Sequence, residues 1–83
     1  PAMTEERRKD LAKQVGKVGE EFRVAIRTER QVANQALKAE AKAQNWPEDR
    51  VKGAEGGIQK LTDQFIADID KIVAEKQKEI TTI

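Results

Sequence analysis

Gln44-Asn45-Trp46-Pro47-Glu48-Asp49 interrupts two long rows of apolar residues, and the reading of that interruption decides the fold. Pro47 suits the first turn of a new helix, where its missing amide hydrogen costs nothing. Glu48 and Asp49 place negative charge at the positive end of that helix. A connection this short makes the helices on either side antiparallel neighbours. Trp46, beside Pro47, reads as a cover for the hairpin tip.

Upstream of the break, apolar residues recur at alternating steps of four and three: Leu11, Val15, Val18, Phe22 and Ala25. Glu29 breaks the row, Val32, Ala36, Ala39 and Ala43 resume it, and Ile26, Ala33 and Leu37 widen it on one flank. This is the pattern of an amphipathic helix of about 40 residues, far above the usual length of about 11–12. Thr4 is a good N-cap for it, with Glu5 and Glu6 in the first turn. Gly16 and Gly19 lie inside it and cost roughly 1 kcal/mol each relative to Ala where exposed. Met3 and Phe22 read as core or core edge.

Downstream, a second row runs Val51, Ala54, Ile58, Leu61, Phe65, Ile69 and Ile72, with Thr62, Ile66, Val73 and Ile80 beside it. Gly53, Gly56 and Gly57 are poor helix formers within one turn, which is expected to be frayed, kinked or closely packed. The expected fold is all-α: an antiparallel hairpin with a helix over about residues 4–44, a turn at about 45–47 and a helix over about 48–80. Row residues as small as Ala25, Ala36, Ala39 and Ala43 cannot cover Leu61, Phe65, Ile66, Ile69 and Ile72. The isolated chain is therefore expected to pair with a second copy of itself.

Composition removes whole classes of function. Eighty-three residues make at most one small domain. Charged residues at 37% and aromatics at 4% suit long solvent-exposed helices rather than a thick core. No apolar run approaches the roughly 18 residues of a membrane span. The chain has no His, Cys, Ser or Tyr, which rules out Ser-His and Cys-His nucleophiles, the imidazole base, disulfides and the usual zinc ligands. Gly53-Ala54-Glu55-Gly56-Gly57 lacks the Lys-Ser/Thr of a phosphate loop. Asp68 and Asp70, two positions apart on a helix, point to different faces and read as solvated charges. Neither an enzyme nor a cofactor is expected.

Charge is uneven although the net value is only +1. Residues 1–45 carry ten Lys/Arg against seven Asp/Glu, and residues 46–83 carry six against eight. Arg23, Arg27 and Arg30 fall at i, i+4 and i+7, forming one stripe on the first helix. In the bland reading the stripe is solvated, with Glu20 offering a local ion pair. In the functional one, three guanidinium groups along about 10 Å of helix match phosphate spacing on a folded RNA. The stripe lies about 100° from the apolar row, which leaves it free to face a partner while the row faces the core.

Thr4-Glu5-Glu6-Arg7-Arg8-Lys9-Asp10-Leu11, then Arg23-Val24-Ala25-Ile26-Arg27 and Arg30, then Gln59-Lys60-Leu61-Thr62-Asp63 resemble the ribosome recycling factor family. The resemblance runs the length of the chain, to Lys76-Gln77-Lys78-Glu79-Ile80. It implies the second and third helices of an up-down three-helix bundle, with the first helix and an inserted β domain lying ahead of Pro1. It further implies contact with large-subunit ribosomal RNA through Arg8, Arg27 and Arg30. With Arg23 from the stripe, these form the expected RNA-binding set. Elongation factor G is the partner implied for the whole protein, and bacterial cytoplasm or an organelle's matrix or stroma its place of work. Where the family has Arg and an apolar residue, this chain has Gln31 and Glu29; Glu29 is expected to reach the rim or pair with a base. The competing reading is a structural hairpin that only self-associates. A membrane-surface helix is disfavoured because the polar faces carry both charge signs.

Overall fold

The computed structural model describes residues 4–82, and two helices account for nearly all of them. Helix α1 spans Glu5–Gln44 and helix α2 spans Glu48–Thr81, packed antiparallel as a rod of 65 × 15 × 12 Å. No strand occurs among the described residues. Met3, assigned above to the core edge, lies outside them.

Local chemistry sets the ends. The Arg7 amide donates to Thr4 Oγ1 at 3.1 Å, and Glu5 and Glu6 occupy the first turn of α1. At the other end Asn45 takes the left-handed conformation (φ 52°, ψ 51°), the one positive φ outside glycine among the described residues. Its short polar side chain tolerates that region better than most. The amides of Asn45 and Trp46 both close on the Ala41 carbonyl, the latter at 2.9 Å. Pro47 then acts as N-cap of α2 rather than its first residue, its carbonyl accepting from Arg50 and Val51 at 3.0 and 3.2 Å. Trp46 covers the tip as expected, with the Arg50 guanidinium 4.1 Å above its ring.

The seam between the helices keeps part of the expected rows but follows their flank rather than their centre. The half-buried and buried positions of α1 include Leu11, Val15, Gly19, Arg23, Ile26, Arg30, Ala33, Leu37 and Ala41. On α2 they include Ala54, Ile58, Thr62, Ile66, Ile69, Val73 and Gln77. Val18, Phe22 and Val32 of the expected row stand exposed, Phe22 at 59%, as do Leu61, Phe65 and Ile72 across from them. Phe22 is therefore not core. Gly19, Ala41 and Thr62 are the buried residues, and their small size draws the two backbones together. A Cβ added at Gly19 would lie 2.5 Å from Val73 Cγ2. The helices thus meet along a line of small and polar residues, which leaves the largest apolar side chains on one flank.

The three glycines of α2 also depart from expectation. Helix α2 runs unbroken through Gly53, Gly56 and Gly57, and none has a neighbour within 4 Å of where a Cβ would lie. The turn is neither interrupted nor tightly packed. Alanine at Gly53, Gly56 or Gly57 should therefore stabilise the hairpin by up to about 1 kcal/mol per site. Thermal unfolding followed by circular dichroism should show melting temperatures rising by roughly 4–8 °C per kcal/mol. A fall would mean that this bare surface is covered after all.

Candidate nucleic-acid interface

The rod has two unlike flanks. On one side of the seam, Ile26, Ala33, Ile58, Leu61 and Phe65 line an apolar groove of about 350 Å³. Glu29 lies exposed at its edge, next to Arg30, so the rim alternative for this carboxylate is the one realised. On the other side lie Glu20, Arg23, Arg27, Arg30, Gln59, Asp63 and Asp70, and three polar links cross between the helices. Arg23 Nε donates to Asp70 Oδ1 at 2.6 Å, Arg30 Nη1 to Gln59 Oε1 at 3.3 Å, and Gln77 Nε2 to the Ala12 carbonyl at 3.1 Å.

These links change what the arginine stripe can do. Arg23 also meets Glu20 Oε2 at 3.1 Å, and its side chain keeps only 19% of its exposure. It faces α2 instead of standing free, so the expectation that the whole stripe points away from the core is corrected. Asp70 is correspondingly not the merely solvated charge expected of it. The hydrogen bond to Asp70, opposed by desolvation and aided by Glu20, holds the Arg23 guanidinium above its ordinary pKa. For a raised base, the stabilising contribution is present below the ordinary arginine value and lost only as pH climbs through the raised one. The pairing therefore loses nothing on the arginine side at any physiological pH.

Arg27 is the more open group, 47% exposed, with Glu20 Oε1 3.6 Å from its Nη1. Glu20 thus bridges two arginines, and two acids balance two bases in this part of the flank. Arg8 sits half-buried at the open end, beside Glu5, Lys9 and Thr81. Arg30 differs from the others in having an uncharged partner. No carboxylate lies within ion-pair distance of Arg30 or Lys38 among the described residues. Within the stripe, Arg30 is thus the arginine whose charge no carboxylate balances.

Sequence reasoning missed the surroundings of that charge. Gln31, Asn34, Gln35, Lys38 and Gln59 join Arg30 around a polar groove of about 620 Å³. Gln59 is held by two bonds, its carbonyl toward Arg30 and its Nε2 on Asp63 Oδ1 at 2.8 Å. Asn34 Oδ1 is buried and has no hydrogen-bond partner. An unsatisfied buried acceptor costs about 1–3 kcal/mol. The available signal was positional: Arg30 and Gln59, like Arg23 and Asp70, stand at similar distances in sequence from Trp46, so an antiparallel hairpin brings them level. No His/Cys/Asp/Glu cluster fit to hold a metal occurs among the described residues.

A profile of the family described as ribosome recycling factor matches residues 1–81. The chain belongs to the ribosome recycling factor family. The factor of Bdellovibrio bacteriovorus is 53% identical over 83 residues, that of Lachnoclostridium phytofermentans 51%, and that of Clostridioides difficile 47%. Each alignment covers 100% of this chain and 45% of the relative. The chain thus spans a little under half the length of these ribosome recycling factors. No helix among its described residues is long and apolar enough to cross a membrane.

Proposed function

We propose that this chain is the part of a ribosome recycling factor that seats on the large ribosomal subunit, gripping its RNA through the polar flank of the hairpin. The family match over residues 1–81 carries this reading. The charge of Arg30, which no carboxylate within ion-pair distance balances, beside Lys38 on the same groove supports it. Arg30 and the open Arg27 make the principal contacts and Arg8 a further one at the open end. Arg23, engaged by Asp70 and Glu20, serves chiefly to hold that surface in place. The contact is mostly with phosphates, because a helix flank cannot read bases in the deep, narrow groove of A-form RNA. The role is non-catalytic. In the complete protein, acting with elongation factor G, this seating splits the post-termination ribosome and frees messenger and transfer RNA. The work is done where such ribosomes are, in bacterial cytoplasm or an organelle's matrix or stroma. Taken alone, the chain covers its open apolar flank with a second copy of itself.

In a full-length factor carrying this segment, Arg30→Ala and Arg27→Ala should each weaken large-subunit binding. Each should also flatten the dependence of log affinity on log salt by about 0.7–0.9. Helix content and melting temperature should barely move for Arg27→Ala. If salt dependence stays put in both variants, the arginines do not meet phosphate and the RNA assignment fails.

A further inference from the structure

Trp46 is covered from one side. The Arg50 guanidinium stands 4.1 Å from the centroid of its ring. On α2, Arg50 and the next residue, Val51, project about 100° apart. Val51 lines a groove of about 430 Å³ with Ala41 and Trp46, and Arg50 does not. The half-buried indole therefore has a cation on one side and a groove with an apolar floor on the other. Lys38 and Lys42 edge that groove one helical turn apart, and no carboxylate among the described residues lies within ion-pair distance of either. The acid among its lining residues is Glu48, whose carboxylate lies 4.0 Å from Lys52 Nζ. The indole is also held in place. Its backbone amide donates to the Ala41 carbonyl at 2.9 Å, and its neighbours are left-handed Asn45 and Pro47, whose ring fixes φ at −60°.

We infer that this tip groove takes an unpaired nucleobase, stacked on the Trp46 indole, with its flanking phosphates on Lys38 and Lys42. A single-stranded nucleotide calls for two things at once, a flat aromatic face for the base and positive charge for the backbone. Both are here, within one turn of α1 and the residues that follow it. A base inside a duplex has its two faces covered by its neighbours, so the platform selects a loop, a bulge or an end. Arg50 braces the ring from behind through its π face. A ring already fixed by its backbone and by that cation loses little freedom when a base settles on it. Lys38 lines this groove and also the polar groove beside Arg30, so one strand can pass from the arginine to the tip without leaving positive charge. The contact differs in kind from that of Arg27 and Arg30, because it engages a base where they engage phosphates. An amphipathic protein helix would need anchors over several turns, and Ala41, Val51 and one ring supply too short an apolar strip. The volume falls within the roughly 300–1,000 Å³ of small-ligand sites.

This inference rests on the RNA reading above, and the test separates the two. Trp46 is the one tryptophan of a chain without tyrosine, so indole emission reports on the tip alone. The chain is titrated, over a range of salt, with an end-labelled RNA stem–loop and with the same stem–loop whose loop nucleotides are abasic. The abasic probe keeps every phosphate and loses the bases. Wild type should prefer the base-bearing loop by roughly five- to a hundredfold, the value of one stacked base, and that loop should quench the indole emission. Trp46→Ala should bring the ratio, read from the anisotropy of the labelled RNA, to about one with the salt slope unchanged. Trp46→Phe, which retains a smaller ring, should retain part of the preference. Circular dichroism verifies that both variants keep the hairpin. Lys42→Ala should flatten the slope by about 0.7 and keep the preference. Wild type binding both probes equally overturns the platform, as does a base preference that survives Trp46→Ala; in either case salt-dependent binding through Arg27 and Arg30 still stands. If neither probe binds in a salt-dependent way, the platform and the RNA reading fall together.

Discussion

Gly19→Leu should part the two helices over the open half of the hairpin while leaving the tip closed. Even the first carbon of a side chain at Gly19 would sit 2.5 Å from Val73 Cγ2 and 3.6 Å from Val73 Cβ. Valine is the wrong neighbour to yield, since a β-branched side chain on a helix has one strongly preferred χ1 rotamer. Overpacking of this kind costs about 1–3 kcal/mol. Alanine at the same site would recover up to about 1 kcal/mol of helix propensity, so its net effect is small; leucine recovers a similar amount but adds three more carbons. The loss is then local. Gly19 lies between the Gln77–Ala12 and Arg23–Asp70 links, and both need the close approach that glycine allows. Amide hydrogen exchange should accelerate over residues 8–23 and their partners on α2, and change little over residues 33–44. The melting temperature should fall by several degrees. Unaltered exchange around Gly19 in the leucine variant would show that the helices do not touch there.

Phe65→Asp should convert a self-associating chain into a monomer. Val18, Phe22, Val32, Leu61, Phe65 and Ile72 are each exposed by roughly half, and Leu61 and Phe65 line an apolar groove with Ile26 and Ile58. Monomers seldom leave such a patch in water. A second hairpin laid against it removes both copies' apolar residues from solvent, at about 25 cal/mol per Å². In sedimentation at tens of micromolar, the wild-type chain should run above its 9.3 kDa monomer mass. A buried phenylalanine is worth about 1.5–3 kcal/mol, and in a two-fold pair the substitution acts twice. The association constant should therefore drop by about a hundredfold or more, at tenfold per 1.4 kcal/mol. Gln31→Asp, on the opposite flank, is the control and should leave association alone. A sharply melting wild-type monomer would show instead that this flank is stable in water.

Some of this molecule is written in neighbouring residues. Thr4 caps α1 because its hydroxyl reaches an amide three positions on, and Asn45 ends it because asparagine accepts a left-handed backbone. Two apolar rows with so short a break between them make an antiparallel hairpin, and the absence of His, Cys, Ser and Tyr leaves the chain without an imidazole base, a thiol or a serine nucleophile. All of these depend on interactions within a few positions along the chain or on composition.

Which face meets which neighbour was not legible in the same way. Counting apolar residues locates a wide stripe around Phe22 and Val32, but the stripe is wider than one partner helix can cover. The seam went to its edge, where Gly19, Ala41 and Thr62 let the backbones come close and Arg23, Arg30 and Gln77 make cross-links. A close approach gains contact along the whole rod, which no single side chain's hydropathy records. That choice turned Arg23 inward, left Arg27 more open beside Glu20, and gathered Arg30, Asn34, Lys38 and Gln59 around one groove. The sequence by itself determined the two helices, their ends and their antiparallel order, because local hydrogen bonds and residue periodicity act along the chain. Only the tertiary structure decided which arginines are structural and which face outward, because that depends on the distance between two backbones.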